Sequence, residues 1–104
     1  MARRRIRLSD RAVADLETIV GYTRQHWGER QARRYANALR NALRRLRDRP
    51  ALGRSRDDVL PGVRSFPCGS HVLFYREIAD GIAVLRILHG GMDVADRMTN
   101  DDEA

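Results

Sequence analysis

The run His71-Val72-Leu73-Phe74-Tyr75-Arg76-Glu77-Ile78, then Ala79-Asp80-Gly81, then Ile82-Ala83-Val84-Leu85-Arg86-Ile87-Leu88-His89 decides the fold. Both arms are rich in Val, Ile, Leu and aromatic residues, whose branched or flat side chains suit a pleated surface. Asp80-Gly81 is a two-residue hairpin signal, because Gly accepts the positive φ such a turn needs. Two antiparallel strands, His71 to Ile78 and Ile82 to His89, are therefore expected. Gly90-Gly91 ends the second, and one helical turn is expected within Met92 to Met98.

Upstream, Val63-Arg64-Ser65-Phe66 predicts a short strand, closed by Pro67, Cys68 and Gly69. Residues 49–62 are polar and punctuated by Pro50, Gly53, Pro61 and Gly62, which predicts a loop. Before that loop the hydrophobic period changes from two to three and four. Glu29 to about Arg47 carries Ala32, Tyr35, Ala36, Leu39, Ala42, Leu43 and Leu46 on one stripe, the pattern of an amphipathic helix. An earlier stripe, Ala12, Val13, Leu16, Ile19, Val20, Thr23 and Trp27, predicts another helix that starts around Ser9-Asp10 and stops at Gly28. With only Gly28 between them the two helices form an antiparallel hairpin. Arg3 to Leu8, with Ile6 and Leu8 alternating against Arg5 and Arg7, reads as a first strand.

The order is strand, helix, helix, then three strands. This is an α+β domain in which the last three strands form an antiparallel meander, the first joins that sheet, and the helical hairpin covers one face. A single domain is expected over residues 1–98, with 99–104 an acidic, disordered tail.

The chain has 104 residues and a formal charge of +6, and all twenty basic residues are Arg. One Cys excludes a disulfide-stapled scaffold. No apolar run approaches the roughly 18 residues of a membrane span, and the basic start is not followed by the apolar segment of a signal peptide. A cytoplasmic domain is the expectation. The arginine excess invites a nucleic-acid reading, but an all-Arg composition also follows from a GC-rich genome.

His26, His71, His89 and Cys68 lack metal-ligand spacing, so no metal and no cofactor is expected. A Cys68–His71 nucleophile has no supporting feature. Ribonuclease chemistry needs a base, an acid and cations for the phosphorane. Arg64, His71 and His89 are the residues that could supply them, with Arg76 and Arg86 on neighbouring strands. The aromatics Tyr22, Trp27, Tyr35, Phe66, Phe74 and Tyr75 lie mostly on core stripes, so packing is their expected role. Direct nucleic-acid binding by the chain alone is not expected. Arg30–Arg34 and Arg40–Arg44 repel at i,i+4, which points to solvation of single residues and to an acidic partner for the set.

These elements together resemble a ParE-type toxin of the RelE/ParE superfamily, from type II toxin–antitoxin systems. The resemblance runs from about Ile6 to Arg97. It is carried by Leu8-Ser9 with Ala14-Asp15-Leu16, Tyr22 to Trp27-Gly28, Ala32 with Tyr35, and Leu46, Pro50 and Leu52-Gly53-Arg54. It continues through Pro61 to Phe66, Gly69 to Arg76, and Ile82 to Asp93. The resemblance implies the RelE/ParE-like β-α-α-β-β-β fold and a ParD-like antitoxin whose acidic and apolar C-terminal segment neutralises the toxin. It further implies inhibition of DNA gyrase by protein–protein binding. The alternative within the superfamily is a ribosome-dependent mRNA endoribonuclease. That pattern includes a C-terminal Tyr, and here no Tyr follows Tyr75. His71 also stands where several ribonuclease relatives carry a phosphate-binding Arg. No catalytic residue is expected for a gyrase inhibitor, whereas a ribonuclease would use Arg64, His71 and His89. Arg64, Arg76 and Arg86 are the expected antitoxin contacts. A non-toxic basic binding module is the third reading.

Overall fold

The computed structural model describes residues 3–90 and 98. Strand β1 (Arg5–Leu8) leads into helices α1 (Asp10–Trp27) and α2 (Glu29–Asp48). A 3-10 turn (Pro50–Leu52) and strands β2 (Arg54–Ser55), β3 (Arg64–Cys68), β4 (His71–Ile78) and β5 (Gly81–His89) follow. The sheet has five strands in the order β1-β5-β4-β3-β2. β1 runs parallel to β5, and the other pairs are antiparallel. The α+β class, the helical hairpin and the meander are as the sequence predicts. The expected helical turn at Met92 to Met98 lies outside the described residues except for Met98, which is helical, and so does the tail at 99–104.

Ser9 is the N-cap of α1, and its hydroxyl accepts the Ala12 N–H at 3.0 Å. Gly28 closes α1 and opens α2 in one residue. Its N–H donates to the Arg24 carbonyl and its own carbonyl accepts from Ala32. Its φ of 89° is a region that only Gly enters cheaply. A one-residue turn between helices of 18 and 20 residues fixes the hairpin.

The helices pack Ala12, Ile19, Leu39, Ala42, Leu43 and Leu46 on Leu73, Tyr75, Ile82, Val84 and Ile87 of the sheet. The other sheet face holds a second cluster of Val63, Phe74, Leu88 and Met98, flanked by Val59 and Leu60 of the loop before β3. Because side chains alternate along a strand, β4 feeds both cores: Leu73 and Tyr75 inward to the helices, Phe74 outward.

Several details depart from the sequence expectation. The two-residue turn between β4 and β5 is Ala79-Asp80 and not Asp80-Gly81, because Gly81 pairs with Ile78 as the first residue of β5. Arg54–Ser55, inside the predicted loop, pairs with Arg64-Ser65 as a fifth strand. β3 continues through Pro67 to Cys68. β5 carries a bulge, because Phe74 faces Arg86 while Tyr75 faces Val84. That bulge is held from the helical layer. The Ser9 hydroxyl donates to the Leu85 carbonyl at 2.8 Å, and Asp15 accepts the Ile87 N–H at 2.9 Å. The polar groups that the ladder leaves over therefore find partners, as buried backbone requires.

Candidate functional site

A groove of about 650 Å³ opens between the end of α1, the start of α2 and the ends of β4 and β5. Ile19, Tyr22, Trp27, Tyr35, His71 and His89 line it. Trp27 is 71% exposed and Tyr22 59%, which corrects the expectation that these aromatics pack in the core. The last turns of α1 overhang the groove, so the stripe that begins in the core at Ala12 ends in solvent. The Tyr22 ring stacks on His26, with centroids 4.0 Å apart.

Sheet register builds the groove floor. His71 lies opposite His89 and also opposite Cys68, so the three occupy one cross-strand row. The imidazoles meet edge to face at 5.7 Å. Tyr35 reaches across from α2, placing its hydroxyl 2.6 Å from His71 Nδ1 and 3.1 Å from the Cys68 carbonyl. The phenol oxygen also accepts the Ser70 N–H at 3.1 Å. One phenolic proton serves the Cys68 carbonyl when His71 carries its own proton on Nδ1 and donates it to the phenol oxygen. Gly69, at φ 59°, turns the chain against the Tyr35 ring, whose nearest atom would lie 2.6 Å from a Cβ there. Sequence periodicity placed Tyr35 on the α2 stripe but gave no sign that its hydroxyl organises the β3–β4 turn.

Burial, and next the charge of His89, pushes the His71 pKa down; Asp15 opposes the shift. Burial pushes the Cys68 thiol up. Cys68 is therefore a protonated thiol at neutral pH, opposite in character to an activated nucleophile. Among the described residues no group of three or more His, Cys, Asp or Glu is placed to hold a metal ion. No helix there is long and apolar enough to cross a membrane.

The arginines named from sequence do not converge on this groove. Arg64 lies opposite Tyr75, four residues along β4 from His71 and so about 13 Å away at 3.3 Å per residue. Its guanidinium donates to the Gly53 carbonyl at 2.7 Å. The structure thus brings His71 and His89 together and holds Arg64 apart. Arg86 turns inward beneath α1. Its Nε and Nη2 donate to the two Asp15 oxygens at 2.8 and 2.9 Å, and both side chains are largely buried. Arg76 is exposed, and alternation puts it on the sheet face away from the helices. The three residues expected to grip an antitoxin thus occupy three separate places. Among the described residues, the groove is lined by no arginine.

Comparison with known proteins adds to this geometry. The family model described as "ParE toxin of type II toxin-antitoxin system, parDE" matches residues 6–94. Toxin ParE1 of Mycobacterium tuberculosis (strain ATCC 25618 / H37Rv) is 44% identical over 88 residues, covering 84% of this chain and 90% of the relative. Toxin ParE1 of Caulobacter vibrioides is 38% identical over 87 residues, covering 84% and 90%. Toxin ParE of Escherichia coli is 34% identical over 94 residues, covering 89% and 91%. A structure titled "Chromosomal ParDE TA system from P. aeruginosa" shares the fold, with a TM-score of 0.71 at 22% identity over 83% of this chain and 95% of that one. The chain belongs to the ParE toxin family and is the toxin component of a type II toxin–antitoxin system.

Proposed function

We propose that the groove between the helical hairpin and the sheet seats the apolar part of a ParD-type antitoxin segment. We further propose that the free toxin acts in the cytoplasm by binding DNA gyrase, without cleaving RNA. The observation that carries the docking reading is the exposure of Trp27 and Tyr22 at the lip of a preformed apolar groove. Large aromatics of this kind supply most of the energy of protein interfaces, and a segment laid into a groove between elements is a recurrent recognition mode. The acidic part of such a segment has the exposed Arg76 within the same protein to meet. Arg64 and Arg86 are already engaged by Gly53 and Asp15.

The ribonuclease reading rests on one observation, the His71–His89 contact beside Tyr35. An imidazole pair can act as acid and base, but with Arg64 held apart no arginine among the described residues lines the groove to meet the phosphorane charge. Expression of the chain without its antitoxin discriminates the two. Growth arrest with lost DNA supercoiling and intact mRNA is the expected result. Cleaved mRNA with normal supercoiling would sink the gyrase reading. Normal growth at verified expression would overturn the gyrase reading for this chain and mark it as an inactive toxin.

A further inference from the structure

Helix α2 presents a second surface whose chemistry is the opposite of the groove's. Between Arg30 and Arg47 the sequence holds no Asp or Glu. Its buried stripe is Ala32, Leu39, Ala42, Leu43 and Leu46. On the opposite side stand Arg30, Arg34, Arg40 and Arg44, all exposed, with Asn37 and Asn41 between them. Among the described residues Arg30, Arg34 and Arg44 make no hydrogen bond or ion pair, and Arg40 touches only Asn37. The acids at the two ends are already engaged, Glu29 by Arg24 and Arg33 and Asp48 by Arg47. The arrangement opposes helix stability: like charges sit at i,i+4, and Arg30 lies in the first turn, where the helix dipole repels a cation.

Shape and composition decide what such a face suits. The one apolar residue exposed along it is Ala38. A protein partner needs an apolar or aromatic centre to bury, and here none exists. Single-stranded nucleic acid is bound by stacking bases on aromatics, and the face has none. Arginine with asparagine, on a straight rigid element about 21 Å long from Arg30 to Arg44, matches instead the regular phosphate backbone of a duplex. Against the expectation drawn from composition and aromatic placement, we infer that the outer face of α2 is a contact surface for the phosphate backbone of duplex DNA, used alongside the protein-docking groove. The contact reads no sequence, since phosphates carry none. It does not depend on which protein the groove binds.

The test is fluorescence anisotropy of a labelled 24-base-pair duplex titrated with the purified full chain at several salt concentrations. Four phosphate contacts give a slope of log affinity against log salt near −3.6, so affinity falls about 50-fold from 50 to 150 mM salt. The triple variant Arg34→Gln, Arg40→Gln, Arg44→Gln is expected to weaken binding at least tenfold at 50 mM and to flatten the slope to about −0.9. A charge-matched variant, Arg3→Gln, Arg7→Gln, Arg54→Gln, is expected to keep the wild-type slope. All six positions are exposed, and thermal melts check that both variants stay folded. Equal losses in the two variants would reduce the effect to net charge and overturn the assignment. So would a wild-type slope near zero, tighter binding to a single-stranded RNA of the same length, or equal binding to a poly-glutamate peptide.

Discussion

Replacing Asp15 by Ala tests whether Arg86 belongs to the fold or to an interface. The Asp15 carboxylate accepts three hydrogen bonds, two from Arg86 and one from the Ile87 backbone. The side chains of Arg86 and Asp15 are only 11% and 14% exposed. The substitution therefore removes the carboxylate from a largely buried guanidinium and leaves the Ile87 amide at the β5 bulge without its acceptor. Breaking a buried pair from one side costs about 3–5 kcal/mol. Residual exposure and the better helix propensity of Ala bring this to about 3 kcal/mol. For a domain of this size that lowers Tm by about 12–24 °C. Arg86→Met is expected to cost about 2 kcal/mol, since Asp15 keeps the Ile87 N–H. Urea denaturation of both single variants and the double closes a cycle with a coupling of about 2 kcal/mol. An Asp15→Ala cost below about 0.5 kcal/mol, or strict additivity, would refute the pairing as a stabilising element. Antitoxin affinity of Arg86→Met, measured well below its unfolding temperature, is expected to stay within about threefold of wild type, the range left when no interface contact is lost. A tenfold loss would return Arg86 to the docking surface.

Trp27→Ala is expected to leave stability within about 0.5 kcal/mol, because the residue is exposed, yet to weaken antitoxin binding about 30-fold or more by calorimetry; unchanged affinity would remove the groove from the interface. Tyr75→Phe leaves the Gly53 N–H and the Pro50 carbonyl without the phenol that now joins them at 2.8 and 2.7 Å, and is expected to cost about 1–3 kcal/mol in urea melts. Gly53→Ala drives a methyl into that phenol and is expected to cost more alone than in the Tyr75→Phe background; equal costs would contradict the close approach. His71 is held below its ordinary value of 6.5 by burial, so the unfolded chain takes up its proton first on acidification. Stability is therefore full above pH 6.5 and falls as pH drops through and below that value. The urea midpoint of His71→Gln is expected to fall less steeply between pH 7 and 5 than that of wild type, and an identical profile would contradict the assignment.

The sequence made the helices, β4 and β5 legible because their periods are long and their boundaries carry Ser9, Gly28 and Gly81. β2 was not, since two polar residues have no period of their own and are a strand only through pairing with Arg64 and Ser65. Pro67 reads as a strand end, yet β2 covers β3 only at Arg64-Ser65, so the missing N–H of Pro67 faces an unpaired edge and costs no ladder bond. The bulge was hidden for another reason. Ile82 to Leu88 is apolar almost throughout, and a one-residue slip of face changes nothing in such a run. At the site, His71 and His89 are found by hairpin register alone. Trp27 is misread because a helix stripe says which residues share a face, and gives no word on where the neighbour beneath that face stops.

A chain whose basic residues are all Arg invites the question of where Arg, as opposed to any cation, is required. The answer differs by location. Arg86 uses Nε and Nη2 against two oxygens of one carboxylate, a planar fork that an ammonium cannot reproduce. Arg45 lies over the Phe66 ring and Arg56 over Phe74, where a flat, weakly hydrated cation packs well. On the outer face of α2 no such geometry exists, and the side chains there supply charge to solvent or to a phosphate. Arg86→Lys is therefore expected to lose about 1–2 kcal/mol, the worth of a charged hydrogen bond that Lys cannot remake. Arg34→Lys and Arg44→Lys are expected to stay within about 0.5 kcal/mol in stability and to keep the salt slope of duplex binding. If the surface changes proved as costly as the buried one, the absence of Lys would be a structural demand of the whole chain. If all were silent, the buried fork would carry no more than its charge.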